Sequence, residues 1–168
     1  MSDLAAVDPA RIAPDATDPA VVGVMRQEVV FCLPSTPVDA IAKLMADNDL
    51  REVPVLIDRR PVGYVDSRDI LEQVVDGRVQ LAGSDLVRQQ FVEVLARDVL
   101  RTPPLLVAET TRVSEVIALL RQHRRQTALV MHEDEFPVGM VTAREVLSHL
   151  LAARRSAGEP VATGTGDA

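Results

Sequence analysis

Gly63 to Leu71 reads GYVDSRDIL and Gly139 to Leu147 reads GMVTAREVL, two phrases about 75 residues apart that share Gly, Val, Arg, an acidic residue and a closing Leu at matching places. Upstream of each glycine the order of patterns is also shared: a short apolar run, a Ser/Thr/Pro cluster, an amphipathic stretch, then a second apolar run. The chain is an internal duplication. Its period exceeds that of a single solenoid unit, roughly 20 to 50 residues, and fits two copies of a small domain facing each other. A lone copy of roughly 55 residues buries too little apolar surface to be comfortably stable, so pairing of the copies is expected on stability grounds and function is expected between them.

Composition narrows the chemistry. Apolar residues make up 47% of the 168-residue chain but aromatics only 2%, so the core must be aliphatic, as suits β-branched strands covered by helices. With no Trp and one Tyr there are no stacking platforms for single-stranded nucleic acid. The net charge of −7 argues against nucleic acid and anionic membrane surfaces as partners and leaves small anions as candidate ligands. Lys43 is the single lysine beside 17 arginines, a bias of composition that cautions against reading function into any one arginine.

Cys32 stands alone in an apolar run, which excludes an internal disulfide, suits a reduced cytoplasmic location and reads as a small core residue. No apolar stretch reaches the roughly 18 residues needed to span a bilayer, so direct membrane insertion is not expected. The first 20 residues carry Asp and Pro where a signal peptide needs basic then apolar residues. Residues 1–20 and 154–168 are expected to be disordered tails around a first repeat at 21–83 and a second at 84–153.

Patterning predicts β-α-β-β-α twice. In the first copy Val21 to Met25 is a helical lead-in, Val29 to Leu33 a strand, Val38 to about Asn48 a helix with Ile41, Leu44 and Met45 at helical spacing, Val53 to Ile57 and Val62 to Val65 strands, and Ser67 to about Val75 a helix. The second copy repeats this with strand Leu105 to Ala108, helix Val113 to about Gln122, strands Ala128 to Met131 and Phe136 to Val141, and helix Ala143 to about Ala153. Between them Ser84 to Leu100 reads as a helix with Ser84 as N-cap and Leu86, Phe91 and Leu95 near one face. Its end, ARDVLRTPP, echoes the VMRQE of the first lead-in.

These features, in this order and twice, resemble a tandem pair of CBS domains, the cystathionine-β-synthase type regulatory module. The likeness covers residues 21–153 and rests on Met25 with the apolar run after it, Thr36-Pro37-Val38, Val53-Pro54-Val55, and the two glycine phrases with Asp69 and Glu145. The second copy is most similar to those of hemolysin-C-like and magnesium-efflux proteins. Without that family's membrane segment or extra C-terminal domain, the likeness implies a regulatory part rather than transport. The resemblance implies an α/β fold of two repeats related by pseudo-twofold symmetry, a homodimer paired through helices, and an adenosine-containing ligand in the cleft between the copies. AMP, ADP, ATP with or without Mg²⁺, and S-adenosylmethionine are the candidates.

In the family phrase a Thr or Ser lies near ribose or phosphate and an Asp three places later holds the ribose hydroxyls. An ionised carboxylate accepts two hydrogen bonds from a vicinal diol, and a hydroxyl at a helix N-terminus adds to N–H groups that attract anions. The first copy has Asp69 at the carboxylate position but Asp66 where the hydroxyl belongs; the second has Thr142 and Glu145. A carboxylate 5 Å from a phosphate costs about 3 kcal/mol at an effective dielectric of 20 and about 1 kcal/mol in bulk water, so Asp66 discourages phosphorylated ligands. Glu145 only adds a methylene. The second copy is therefore the favoured nucleotide half, and the first is left to an unphosphorylated adenosyl group.

The same residues have a purely structural reading. Thr142-Ala143-Arg144-Glu145 is a capping box and Asp66 is a good N-cap. Basic phosphate partners are sought in Arg51 and Arg125, placed just before the second strand of each copy, and in Arg68 and Arg144, each next to the carboxylate; all four also read as solvated surface. His123, His132 and His149 lack metal-ligand spacing, and no phosphate loop or nucleophile elbow is present, so an enzyme is not expected. The rival to a ligand sensor is a degenerate scaffold that keeps fold and dimer without nucleotide; a third reading is an accessory subunit for a protein target.

Overall fold

The computed structural model describes residues 18–76, 94–133 and 136–156. The expected tails lie outside them except at their inner edges, and so do residues 84–93 of the helix expected between the copies.

The first repeat consists of α1 (Val38–Asn48), β1 (Glu52–Ile57), β2 (Arg60–Asp66) and α2 (Ser67–Val75); the second of β3 (Leu106–Ala108), α3 (Val113–Gln122), β4 (Thr127–His132), β5 (Phe136–Thr142) and α4 (Ala143–Ser156). The order β-α-β-β-α holds twice, although the strand expected over Val29 to Leu33 is reduced to a parallel bridge between Cys32 and Val55. Cys32 N–H donates to the Pro54 carbonyl and Leu56 N–H to that of Cys32, both at 3.0 Å, and flanking Phe31 and Leu33 are half exposed. With one face left unpaired, the run has no reason to extend its ladder.

The two hairpins are copies down to their irregularities. Val55 pairs with Gly63 and Val130 with Gly139, and in both the register slips just after that pair. This sets Glu52 against Thr127 as equivalent positions. It also places Arg51 opposite Gln126 in the alignment, and Leu50 opposite Arg125, so the two arginines are not the matched pair that their nearness to the strands implied. Asp49 and Arg124, at φ 54° and 51°, make the same left-handed exit from α1 and α3.

The lead-ins are exchanged. Val21 opens a 3-10 turn (Val21–Gly23) and is fully buried in the second repeat's core with Val107, Val116, Val130 and Val141. Val94, Ala96 and Val99 are buried instead in the first repeat's core with Ile41, Val53 and Val65. Val38 N–H donates to the Val94 carbonyl at 3.0 Å and Ala96 N–H to that of Thr36 at 2.8 Å. From Val94 the chain is therefore not helical up to Leu100; it forms only the 3-10 turn Ala96–Asp98, because burying Val94, Ala96 and Val99 on another repeat outweighs local helical preference.

Exchange explains both glycines. A Cβ at Gly63 would overlap the Arg101 carbonyl and the Leu100 side chain, and one at Gly139 would overlap Met25 and lie 2.7 Å from the Arg26 carbonyl. Each glycine thus admits the backbone of the lead-in that crosses from the other side. Leu129, Met131 and Met140 of the second repeat complete the first repeat's cluster, so the first core extends into the second copy. At about 1.5–3 kcal/mol per fully buried aliphatic side chain, neither repeat could expose that surface cheaply.

Chain ends tighten the same design. Asp18, expected in the N-terminal tail, accepts from Ser114 N–H at 2.9 Å and from its hydroxyl at 2.6 Å, capping α3 from far away in sequence. Arg154 and Arg155 continue α4 rather than starting a tail.

Candidate functional site

The N-termini of α2 and α4 place the predicted carboxylates and hydroxyl beside the lead-ins. In the first repeat Asp66 is the N-cap of α2, its carboxylate accepting from Arg68 N–H at 2.8 Å. Asp69, one turn into the helix and nearly buried, takes both its oxygens to Arg101: Nε donates at 2.7 Å and Nη2 closes the fork. That hydrogen bond, with the Asp69 charge, raises the Arg101 pKa above its ordinary value against the opposing effect of burial. Asp69 is thus already held by a bidentate arginine, the strongest geometry for a carboxylate.

In the second repeat Thr142 precedes α4. Glu145 folds back, one oxygen accepting from Thr142 N–H at 2.8 Å and from its hydroxyl at 2.6 Å, while the Thr142 oxygen accepts from Arg144 N–H at 3.2 Å. This is the capping arrangement that the spacing predicted. It leaves Glu145 half-buried with its second oxygen outside these bonds.

The four arginines scatter. Arg51 is exposed, and its carbonyl accepts from Ser67 N–H at the start of α2. Arg68 lies 3.9 Å from Asp66 and Arg144 reaches Asp49 at 3.2 Å, both pairs with an arginine well exposed to solvent. Arg125 is different. Its guanidinium side chain is 8% exposed, donates to both oxygens of Glu52 at 3.2 Å and to the Pro103 carbonyl at 2.9 Å, and lies over the Tyr64 ring. Together with Glu52, itself 1% exposed, it fills the boundary between the repeats, where a cavity of only about 10 Å³ remains among Glu52, Tyr64, Leu105, Arg125 and Leu129. Arg125 is thus paired with the other repeat's Glu52, and it also lines a groove with Arg68 and with Ala143 at the start of α4.

Two further arginines lie on the lead-ins that cross the hairpins just before the predicted site residues. Arg101 and Tyr64 exchange backbone hydrogen bonds at 2.9 Å, as Arg26 and Met140 do at 3.0 Å. Arg26 and Arg101 are therefore equivalents, each following the apolar pair of a lead-in, in VMR and VLR. Their side chains differ: Arg101 is forked on Asp69, whereas Nε and Nη2 of Arg26 are buried with no hydrogen-bond partner. The echo between the two lead-ins was the sequence signal for both.

Two larger spaces are lined by residues of both repeats. A groove of about 590 Å³ between α3 and α4 has Ile117, Leu120, Val146, Leu147 and Leu150 as its floor and Arg68, Arg121 and Arg124 at its rim. A second, of about 250 Å³, joins Phe31, Leu33 and Leu56 of the first repeat to Pro137 of the second. No helix among the described residues is long and apolar enough to cross a membrane, and no cluster of metal-ligating side chains occurs among them.

Comparisons with known proteins agree with this architecture. The CBS domain family model matches residues 21–76 and 96–152. The chain is 27% identical over 122 residues to an inosine-5'-monophosphate dehydrogenase of Thermoplasma acidophilum, covering 73% of this chain and 22% of that enzyme, so it spans about a fifth of that relative's length. It superposes on CBSX2 in complex with AMP at a TM-score of 0.64 with 24% identity, covering 82% of this chain and 99% of the other. The CBS domain of a bacterial CNNM/CorC family Mg²⁺ transporter in complex with ATP matches at a TM-score of 0.59 with 20% identity, over 79% of this chain and 87% of that one. Two family matches covering most of the chain, the doubled hairpin register and the exchanged lead-ins identify it as a member of the CBS domain family, built as a tandem pair.

Proposed function

We propose that the chain is a regulatory module, not a catalyst, that binds an adenosine-containing ligand between its repeats and couples occupancy to their arrangement or to a protein target. The observation that carries this reading is the α4 N-terminus, where the Thr142 hydroxyl and the Glu145 carboxylate stand beside the Arg26 lead-in. A ribose diol would take the free oxygen of Glu145, and an anionic group would gain from the helix N-terminus. The complexes of CBSX2 with AMP and of the CNNM/CorC domain with ATP support this ligand class. Coupling would be limited to the ligand's differential affinity for the two arrangements.

Thermal unfolding with AMP, ADP, ATP with and without Mg²⁺, and S-adenosylmethionine tests the reading. A ligand at 100 times its Kd stabilises by about 2.7 kcal/mol, a clear rise in Tm. No shift for any of them would remove the sensor.

A specific observation favours the rival scaffold: Arg101 occupies both oxygens of Asp69, so the first repeat has no carboxylate to offer a diol without losing that pair. In the scaffold reading the working surface is the helical face. We infer a cytoplasmic homodimer in which α2 of one copy lies on the α3–α4 groove of the other. Leu71 and Val75 of α2 are 61% and 84% exposed beside acidic Glu72 and Asp76, while the groove pairs exposed Leu147 with Arg121 and Arg124.

A further inference from the structure

We propose that Arg26 is the residue that selects a phosphorylated ligand at the second repeat, and that the first repeat lacks this preference because its equivalent, Arg101, is already neutralised. This rests on the nucleotide-binding reading above and names the group it would discriminate.

The backbone fixes the comparison. Arg26 brackets Met140 through two hydrogen bonds of 3.0 Å, and Arg101 brackets Tyr64 through two of 2.9 Å, at matching places in the duplicated hairpins. In the first repeat an arginine at this place spans to the third residue of the following helix, Asp69, and spends both faces of its fork there. The third residue of α4 is Glu145, long enough to turn back on Thr142, and it makes no fork like that of Asp69 on Arg101. One methylene thus separates a closed fork on a carboxylate from an arginine with two unpartnered nitrogens.

The consequence is a charge asymmetry between the halves. The first presents Asp66 and Asp69, with Arg101 committed to Asp69 and Arg68 3.9 Å from Asp66. In the second, Nε and Nη2 of Arg26 are buried without a hydrogen-bond partner, and its backbone brackets Met140, two residues before Thr142. Buried donors without partners are costly to the free protein, and a guanidinium is best satisfied by a planar or tetrahedral oxyanion able to take two of its N–H groups. A phosphoryl group supplies that; a hydroxymethyl group on an unphosphorylated nucleoside does not.

Calorimetry of the full chain with AMP and adenosine as paired probes tests the assignment. The wild type is expected to bind AMP more tightly than adenosine, and Arg26→Gln to weaken AMP roughly 10- to 100-fold while leaving adenosine unchanged. Equal loss for both probes, or none for either, overturns it. If the wild type titrates neither probe, the sensor reading fails and this inference with it; AMP binding indifferent to Arg26→Gln overturns the inference alone. In the ligand-free protein Arg26→Gln should keep or raise Tm, because it removes buried N–H donors that have no partner; a lowered Tm with normal AMP binding would make Arg26 structural. Should the glutamine variant not fold, Arg26→Lys, which keeps the charge, must retain tighter binding of AMP than of adenosine, and its failure to do so overturns the assignment.

Discussion

The Glu52 carboxylate and the Arg125 guanidinium, from opposite repeats, meet at 3.2 Å with 1% and 8% of their side chains exposed. Glu52 also accepts from Thr127 N–H at 3.2 Å, and Arg125 from beneath is covered by the Tyr64 ring. The register makes Glu52 and Thr127 equivalent positions, so this clasp breaks the symmetry at the point where the duplicated halves meet. A buried ion pair adds little net stability, but removing one partner leaves an uncompensated charge.

Arg125→Leu is therefore expected to destabilise the chain by about 3–5 kcal/mol in urea unfolding, since it strands Glu52. The double variant Glu52→Gln with Arg125→Leu should recover much of that loss. An Arg125→Leu protein as stable as wild type would show that the clasp is solvated.

Asp18 caps α3 through Ser114. Burial opposes its ionisation, but the Ser114 hydroxyl and N–H together with the Arg112 charge outweigh that and hold its carboxyl below the ordinary 3.8. A depressed folded pKa means that the stabilisation is present above the unfolded pKa and is lost as pH falls through the folded value. Asp18→Ala should cost about 1 kcal/mol near neutral pH. The difference from wild type should shrink progressively once the pH is brought below 3.8; a difference constant down to the acid transition would refute the capping role.

Gly63→Ala sets a methyl group against the Arg101 backbone and Leu100, which cannot both give way without loosening the exchanged lead-in. Overpacking of this kind costs about 1–3 kcal/mol. Chemical denaturation of Gly63→Ala and Gly139→Ala should show both losses, and a neutral result at either would mean that the crossing strand is not held there.

Burial pushes the Cys32 thiol up to about 12, so almost none is thiolate at pH 8. Alkylation by iodoacetamide should be slow in the native protein and fast in urea. Rapid native labelling would contradict the placement of Cys32 in the first repeat's core.

The fold was legible because the duplication reports itself: helices at Val38, Ser67, Val113 and Ala143 begin where the apolar spacing and caps put them. The stretch from Val94 to Leu100 was not, since its apolar residues suit a helix face locally and are claimed by Ile41 and Val53 across the fold. The site was legible in part. Thr142 and Glu145 form the expected box, but the one-residue difference in register that separates Arg51 from Arg125 becomes visible only once Val55 is seen against Gly63 and Val130 against Gly139. Arg26 and Arg101 were hidden in plain composition, two among many arginines, until their backbone partners marked them as equivalents.

The pairing surface makes its own prediction. Leu71→Glu or Leu150→Glu should convert a dimer into a monomer in size exclusion with light scattering, each by placing a charge in an apolar contact. Glu72→Arg should weaken the dimer and Arg121→Glu introduced with it should restore part of the loss; a wild-type chain that is monomeric at high concentration would remove this surface from the account.

The most direct test of the central claim is isothermal titration calorimetry of AMP into the purified chain, beside Thr142→Ala and Glu145→Ala. The account predicts saturable binding near one AMP per chain, weakened in Glu145→Ala by about 1.5–3 kcal/mol, the scale of charged hydrogen bonds to the ribose. A folded wild-type protein that gives no binding heat, or one whose AMP affinity is untouched by either substitution, would contradict it.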